Sequence, residues 1–320
     1  MRPRLVNKSG WPLLSSPASV KSVRILIPYF GSWPEWMNFF IESCKGNPTI
    51  DWLFFTDCGE PENRAPNVQY RHTTLADYCE HVSRALKVDF RRASGHKLVD
   101  IKPALGFLHA DELAGYDFYG FGDIDVIYGD IRRFYTDEIL GAHQLLSTHA
   151  DRIAGHLALF ENTSLMREAF RRILGWRDLL EDERTRVMDE RQYTYLFRPR
   201  RRRKRWLRLV YSWITPLGRR LYFREQYSTI LSSQRPWHDG SDVHPEEWIW
   251  RDGQLFNSAD GEREFMYLHF MNWKGDRWLE GSGPAAWTTQ GTILHMDWRE
   301  AGRDGFRITP RGFEARNGTD

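Results

Sequence analysis

Residues Val23 to Phe30 read Val-Arg-Ile-Leu-Ile-Pro-Tyr-Phe, an apolar, β-branched run closed by Gly31. A run of this length and composition is the pattern of a buried strand. A helix start comes at once. Ser32 with Glu35 three residues on forms a capping box, and Pro34 sits in the first turn, where its missing N–H costs little. Trp33, Trp36, Met37 and Phe40 recur at i, i+3, i+4 and i+7, giving that helix one apolar face. The pattern then repeats. Asp51 to Asp57 and Val68 to His72 are strand candidates, and Thr74 with Asp77 opens a capped helix through about Leu86. Lys97 to Leu113 is a helical stretch interrupted near Pro103, and Tyr116 to Asp130 is aromatic and β-rich before it breaks into glycine and aspartate. Strands alternating with helices predict an α/β sheet with parallel pairs, in which ligands gather beyond the carboxyl ends of the strands.

The second half is less regular. Ile153 to Asn162 reads as a strand, with helices after it to about Leu180, and beyond Gln226 short aromatic segments alternate with Gly, Pro, Asp and Ser. No internal repeat separates the halves, so the partition is a tail over 1–22, one domain over 23–275 and a C-terminal extension over 276–320. The chain carries 14 Trp, 13 Tyr and 19 Phe. These supply either a large core or an amphipathic binding groove. Lys plus Arg number 45 against 43 Asp plus Glu, a balance that excludes a protein coating nucleic acid by charge alone. Cys44, Cys58 and Cys79 are odd in number and lack metal-ligand spacing, which fits a reducing compartment. With no signal-peptide pattern and no apolar run of about 20 residues, the expected location is cytoplasmic, with peripheral contact at the inner face of the membrane.

The sharpest chemical feature is Gly122-Asp123-Ile124-Asp125. On a strand, Asp123 and Asp125 would share one face while Ile124 enters the core. Two carboxylates side by side repel, and burying both without a counter-charge costs on the order of several kcal/mol or more, for which a divalent cation is the natural remedy. Hard carboxylate oxygens suit Mn²⁺ or Mg²⁺. The plainer alternative is an exposed turn in which the aspartates merely cap the next element.

In this context the motif resembles the D-x-D of GT-A glycosyltransferases, which holds a metal bound to a nucleotide-sugar diphosphate. Downstream, His269-Phe270-Met271-Asn272-Trp273-Lys274 is similar in outline to the H-x-x-x-x-K element of some retaining families. The layout from residue 23 to about 275 resembles a family of uncharacterised bacterial glycosyltransferase-like proteins. The resemblance implies a Rossmann-like nucleotide-diphospho-sugar transferase fold with a mixed, mostly parallel sheet and an irregular aromatic C-terminal half. It implies Asp123, Asp125 and His269 as metal ligands, with Asp123 also on ribose or phosphate and Lys274 on the diphosphate. It places Pro28, Tyr29, Phe30, Thr56 and Asp57 around the nucleotide, and Lys97 and Lys102 on the diphosphate with Asp100 orienting them. It further implies acceptor-side or sugar-side roles for His156, Asp189 and Glu190, and leans towards retention. A solvated helix charge is the competing reading for the lysines and for Glu190.

The donor implied is UDP- or GDP-linked, and the acceptor is a saccharide or lipid-linked saccharide of bacterial surface polysaccharide synthesis. The basic run within 198–208, followed by Trp206, Leu207, Leu209, Val210, Tyr211, Trp213 and Ile214, forms a basic-aromatic insertion over about 198–223. Such a segment suits an anionic membrane surface, a solvated or self-packed insertion, or nucleic acid. The last is disfavoured by the charge-balanced remainder of the chain. Two other functions stand beside transfer: a non-catalytic nucleotide-sugar or glycan-binding module, and nucleic-acid binding through the Arg-rich segment.

Overall fold

The computed structural model describes residues 20–90, 95–198, 216–230, 236–275 and 285–316. Strand β1 (Val23–Pro28) lies between β2 (Ile50–Thr56) and β4 (Phe118–Gly122), and β3 (Val68–His72) flanks β2. These four are all parallel to one another. On the far side β7 (Leu157–Glu161) runs antiparallel to β4, followed by β6 (Leu145–Ser147) and β8 (Leu221–Phe223). The result is a mixed, mostly parallel seven-stranded sheet in an α/β fold, in the order β3-β2-β1-β4-β7-β6-β8.

Alternation along β1 explains its burial on both sides. Val23, Ile25 and Ile27 enter one core cluster and Leu26 the other. Helix α1 (Met37–Lys45) covers the first face, and α2 (Leu75–Leu86) contributes Tyr78, Val82 and Leu86 to the second. The start of α2 follows its sequence signal: the Thr74 side chain accepts a hydrogen bond from the Asp77 N–H at 3.1 Å. The start of α1 does not. Ser32 and Glu35 form no capping box; Trp36 occupies the N-cap without a side-chain bond. Tertiary contacts override the local signal there, because Trp33 stacks on Tyr29 at 5.1 Å and the Trp36 indole bonds the Ile124 carbonyl.

Residues Gly95–Ala104 form successive 3₁₀ turns around Pro103, and a short α-helix over Leu105–Leu108 continues them. Beyond β8, strands β9 (Trp248–Arg251) and β10 (Gln254–Asn257) form a hairpin. They join β12 (Leu294–His295), β13 (Phe306–Thr309) and β14 (Gly312–Ala315) in a second, five-stranded sheet. Within the expected C-terminal extension, β13 pairs directly with β9. Helix α1 is packed between the two sheets. Phe40 faces Phe54 and Tyr128, while Phe39 meets Phe306 at 5.0 Å and Phe313 at 4.6 Å. Most of the aromatic content is spent on this core, including Trp237, Trp248, Trp250, Phe265, Phe270 and Trp287.

A two-stranded ribbon completes the frame. Strand β5 (Val126–Tyr128) pairs antiparallel with β11 (Tyr267–His269), setting His269 opposite Val126. No helix among the described residues is long and apolar enough to cross a membrane. Of the basic-aromatic insertion, 199–215 lies outside the described residues.

Candidate functional site

Parallel strands β1, β2 and β4 end at Pro28, Thr56 and Gly122, so their carboxyl ends present Tyr29, Asp57 and Asp123 to one edge of the sheet. The D-x-D residues are not within a strand, as strict alternation would require; they form the bend between β4 and β5. The bend is fixed at each residue. The Asp123 N–H donates to the His156 carbonyl at 3.3 Å, and the Phe270 N–H donates to the Asp125 carbonyl at 3.2 Å. Between them, the Trp36 indole N–H donates to the Ile124 carbonyl at 2.7 Å. Ile124 itself is buried.

Asp123, Asp125 and His269 converge, each offering a ligand atom within 4.8 Å of the others. His269 Nε2 lies 3.4 Å from Asp125 Oδ2, and Lys274 Nζ lies 2.9 Å from the same oxygen. Burial alone would push the Asp125 carboxyl up, but Lys274 and His269 outweigh it and hold it well below the ordinary carboxylate range. Asp123, the more exposed of the pair, accepts from Lys102 Nζ at 2.6 Å. The residues suit a divalent cation: two carboxylates and an imidazole make a hard-to-borderline donor set. His269 Nδ1 is also buried with no hydrogen-bond partner among the described residues.

Behind His269 lies a buried imidazole layer. The His156 ring stands 4.2 Å from that of His269, and its Nε2 meets the Tyr267 hydroxyl at 2.7 Å. Burial, with His269 and His149 adding to it, pulls the His156 imidazole well below its usual range. The ring is thus enclosed, with Tyr267 and Thr148 on its Nε2 and His269 beside it, away from the exposed face where an acceptor-side role was expected.

Lys102 connects the Asp123–Asp125 bend to a second acidic group. Its Nζ bonds Asp123 and the Gly155 carbonyl and lies 3.7 Å from Asp189 Oδ2. Burial pulls this ammonium down, but Asp123 and Asp189 more than offset it. Burial pushes the Asp189 carboxyl up to about 7, with Lys102 opposing the rise and Glu190 adding to it. Glu190 Oε1 accepts from the Gly155 N–H at 3.2 Å, and Oε2 pairs with Arg152. Asp189, Glu190, Lys102 and Asp123 thus form one connected charged group, whereas Lys97 belongs elsewhere. It is fully buried against Asp100 and the Leu179 and Arg184 carbonyls, so the expected diphosphate contact is replaced by a structural one.

At the nucleotide-side positions, Tyr29 stacks on Trp33 and its hydroxyl donates to the Ser32 carbonyl, while Asp57 Oδ1 accepts from the Gly31 N–H at 2.7 Å. Gly31 has φ of +110°, a backbone conformation open to glycine. Pro28 closes β1 at half-buried exposure. Thr56 and Phe30 turn away from the expected role. Thr56 is fully buried with Oγ1 accepting from the Cys58 N–H, and Phe30 packs on Tyr78. Sequence reasoning missed Trp36, Arg152 and Tyr267 as supports of the site. Only Trp36 carried a signal, as an aromatic residue that periodicity assigns to a helix face.

The fold and site define a mixed α/β protein with an Asp-Asp-His cluster at the carboxyl edge of its parallel strands. The chain belongs to a family of unknown function, DUF6625, whose sequence model matches residues 25–313. That match runs through both sheets. No curated protein matches the chain in sequence. Among solved structures it is similar to the galactosyltransferase LgtC in complex with donor and acceptor sugar analogues, at 12% identity over 53% of this chain and 68% of that one, with a TM-score of 0.33. It is also similar to mouse xyloside xylosyltransferase 1, at 11% identity over 50% and 72% of the two chains with a TM-score of 0.28. The glycosyltransferase GlyE of Streptococcus pneumoniae matches at 13% identity over 65% and 46%, with a TM-score of 0.34.

Proposed function

We propose that this protein is a metal-dependent glycosyltransferase of GT-A type. It moves a sugar from a UDP- or GDP-linked donor to a saccharide or lipid-linked saccharide, of the kind built into bacterial surface polysaccharide. The convergence of Asp123, Asp125 and His269 from two distant parts of the chain carries this reading. Mn²⁺ or Mg²⁺, once bound there, supplies Lewis-acid stabilisation of the charge that develops on a departing diphosphate. Lys274, only partly buried beside Asp125, is the fixed cation that binds phosphate oxygens. Tyr29 and Asp57 border the nucleotide position at the ends of β1 and β2.

On the sugar side, Lys102 holds Asp123 and Asp189 in one charged group, and Glu190 is oriented by the Gly155 N–H and Arg152. The Asp189 carboxyl, raised to about 7, exists in both protonation states near neutral pH. It is suited to hydrogen-bond a sugar hydroxyl and to sit beside developing positive charge at the anomeric carbon. That arrangement favours retention, which needs a shielded, polar face more than a free general base. The enzyme works in the cytoplasm, and its basic-aromatic insertion reaches the membrane where a lipid-linked acceptor resides.

Calorimetric titration of UDP and GDP with and without Mn²⁺ tests the reading. Metal-stimulated binding in the native protein, lost in Asp125→Ala with the fold intact, is the expected result. Binding that is indifferent to both metal and substitution would remove the basis for it.

A further inference from the structure

Lys97 and Asp100 are completely enclosed, and their contacts run to the chain between Leu179 and Met188. Lys97 Nζ lies 3.0 Å from Asp100 Oδ2 and donates to the Leu179 and Arg184 carbonyls at 2.8 and 3.2 Å. Asp100 in turn accepts from the Arg186 N–H at 2.9 Å through Oδ2 and from the Met188 N–H at 2.9 Å through Oδ1. Between those two amides sits Val187, with φ of 53°. A β-branched residue in the left-handed region is a genuine outlier, because its side chain crowds the backbone there.

Two unfavourable features therefore meet in one short segment. A fully buried ion pair is a weak source of stability once its desolvation is counted. A strained backbone persists only where the surroundings over-determine it, and such strain clusters at functional sites. The segment leads straight into Asp189 and Glu190. Backbone bonds from the Arg191 N–H to the Val187 carbonyl and from the Tyr193 N–H to the Met188 carbonyl carry the fixed geometry onward.

We propose that Lys97 and Asp100 are positioning residues that latch residues 184–188 in a strained conformation, delivering Asp189 to Lys102 and Glu190 to the Gly155 N–H. The functional half of this assignment rests on the sugar-transfer reading of Asp189 and Glu190; the latch itself does not. Asp100→Asn keeps the volume but leaves Lys97 without its charge partner, gives both amides a neutral partner and sets an NH2 donor against one of them. Val187→Gly accepts a positive φ freely, so it removes the need for the latch.

Hydrogen exchange of the full-length protein reads the latch directly. In the native protein the Arg186 and Met188 amides should be protected, although Glu183 and Arg184 beside them are exposed. Exchange at those two amides as fast as at exposed loop positions overturns the proposal without any variant. In Asp100→Asn they should exchange about ten-fold faster or more. Adding Val187→Gly should recover protection at the following Arg191 and Tyr193 amides, which bond the Val187 and Met188 carbonyls, a rescue that loss of packing alone would not give. Mn²⁺-dependent UDP or GDP affinity should stay within about two-fold in Asp100→Asn, while turnover of a nucleotide-sugar donor falls about ten-fold or more. Unchanged exchange in Asp100→Asn, absence of rescue, or nucleotide affinity falling in step with turnover overturns the latch. Protected amides in a native protein that binds no nucleotide would instead sink the sugar-transfer reading and leave the latch standing.

Discussion

His269 lies directly across from Val126 in the β5–β11 ribbon, so its imidazole falls beside Asp125, with Nε2 3.4 Å from Oδ2. A single register thus joins the bend after β4 to a residue far along the chain. A slip of one residue would turn His269 to the opposite face of the ribbon. The Phe270 N–H to Asp125 carbonyl bond and the His269 N–H to Ser228 carbonyl bond hold that register from both sides.

Trp36 anchors the middle of the bend through its indole N–H and packs edge-on against Phe270 at 5.4 Å. Trp36→Phe keeps an aromatic ring and deletes the donor. The expected loss of stability is about 1 kcal/mol. Mn²⁺ affinity should fall more noticeably, by roughly ten-fold, because a support of the proposed metal ligands is gone. Urea denaturation and Mn²⁺ titration on the same variant separate the two effects.

Asp189 makes stability depend on pH in a defined direction. Its carboxyl stands at about 7 in the folded chain against an ordinary 3.8, so between these values the native state binds more protons than the unfolded one. Its contribution is fully present below the unfolded value and is lost as pH rises to about 7. Asp189→Asn removes this dependence. The stability of Asp189→Asn relative to the native protein should therefore climb from pH 4 to pH 7 and level off above, read by denaturant unfolding across a pH series. A flat difference would contradict the assignment.

A Cβ at Gly155 would lie 2.8 Å from Asp189 Oδ2 and 3.3 Å from Glu190 Oε1. Gly155→Ala must push both carboxylates away from Lys102 and the Gly155 N–H. Destabilisation of about 1–3 kcal/mol is expected. Thermal unfolding of Gly155→Ala beside the native protein measures it.

Phe39 links α1 to the C-terminal strands through Phe306 and Phe313. Phe39→Ala should cost about 3–5 kcal/mol. Hydrogen exchange should rise together in β1 and in β13–β14, since both border the same core cluster. Exchange that rises in the C-terminal strands alone would mean that they form a separate cooperative unit.

The parallel half of the fold is legible because its signals are local. Val68–His72 and Leu75–Leu86 have the ends that their apolar runs and the Thr74 cap predict. The α1 start misleads because Trp33 and Trp36 mimic helix periodicity while being held by Tyr29 and Ile124. For the site, the acidic pair and the His-to-Lys spacing are sequence features, so Asp123, Asp125, His269 and Lys274 can be proposed without coordinates. The burial of Lys97 and the shielding of His156 depend on what packs around them, on Leu179, Arg184 and Tyr267. No spacing rule in the chain carries that information. The second sheet is equally hidden, because β9 and β13 pair across a long stretch of irregular sequence.

The central claim is that Asp123, Asp125 and His269 together hold a divalent cation. A crystal grown with Mn²⁺, measured at the manganese absorption edge, tests it most directly. The account predicts one anomalous peak shared by these three side chains, absent in Asp125→Ala. A peak elsewhere with this cluster vacant, or Lys274 still seated on Asp125 at saturating Mn²⁺, would contradict it.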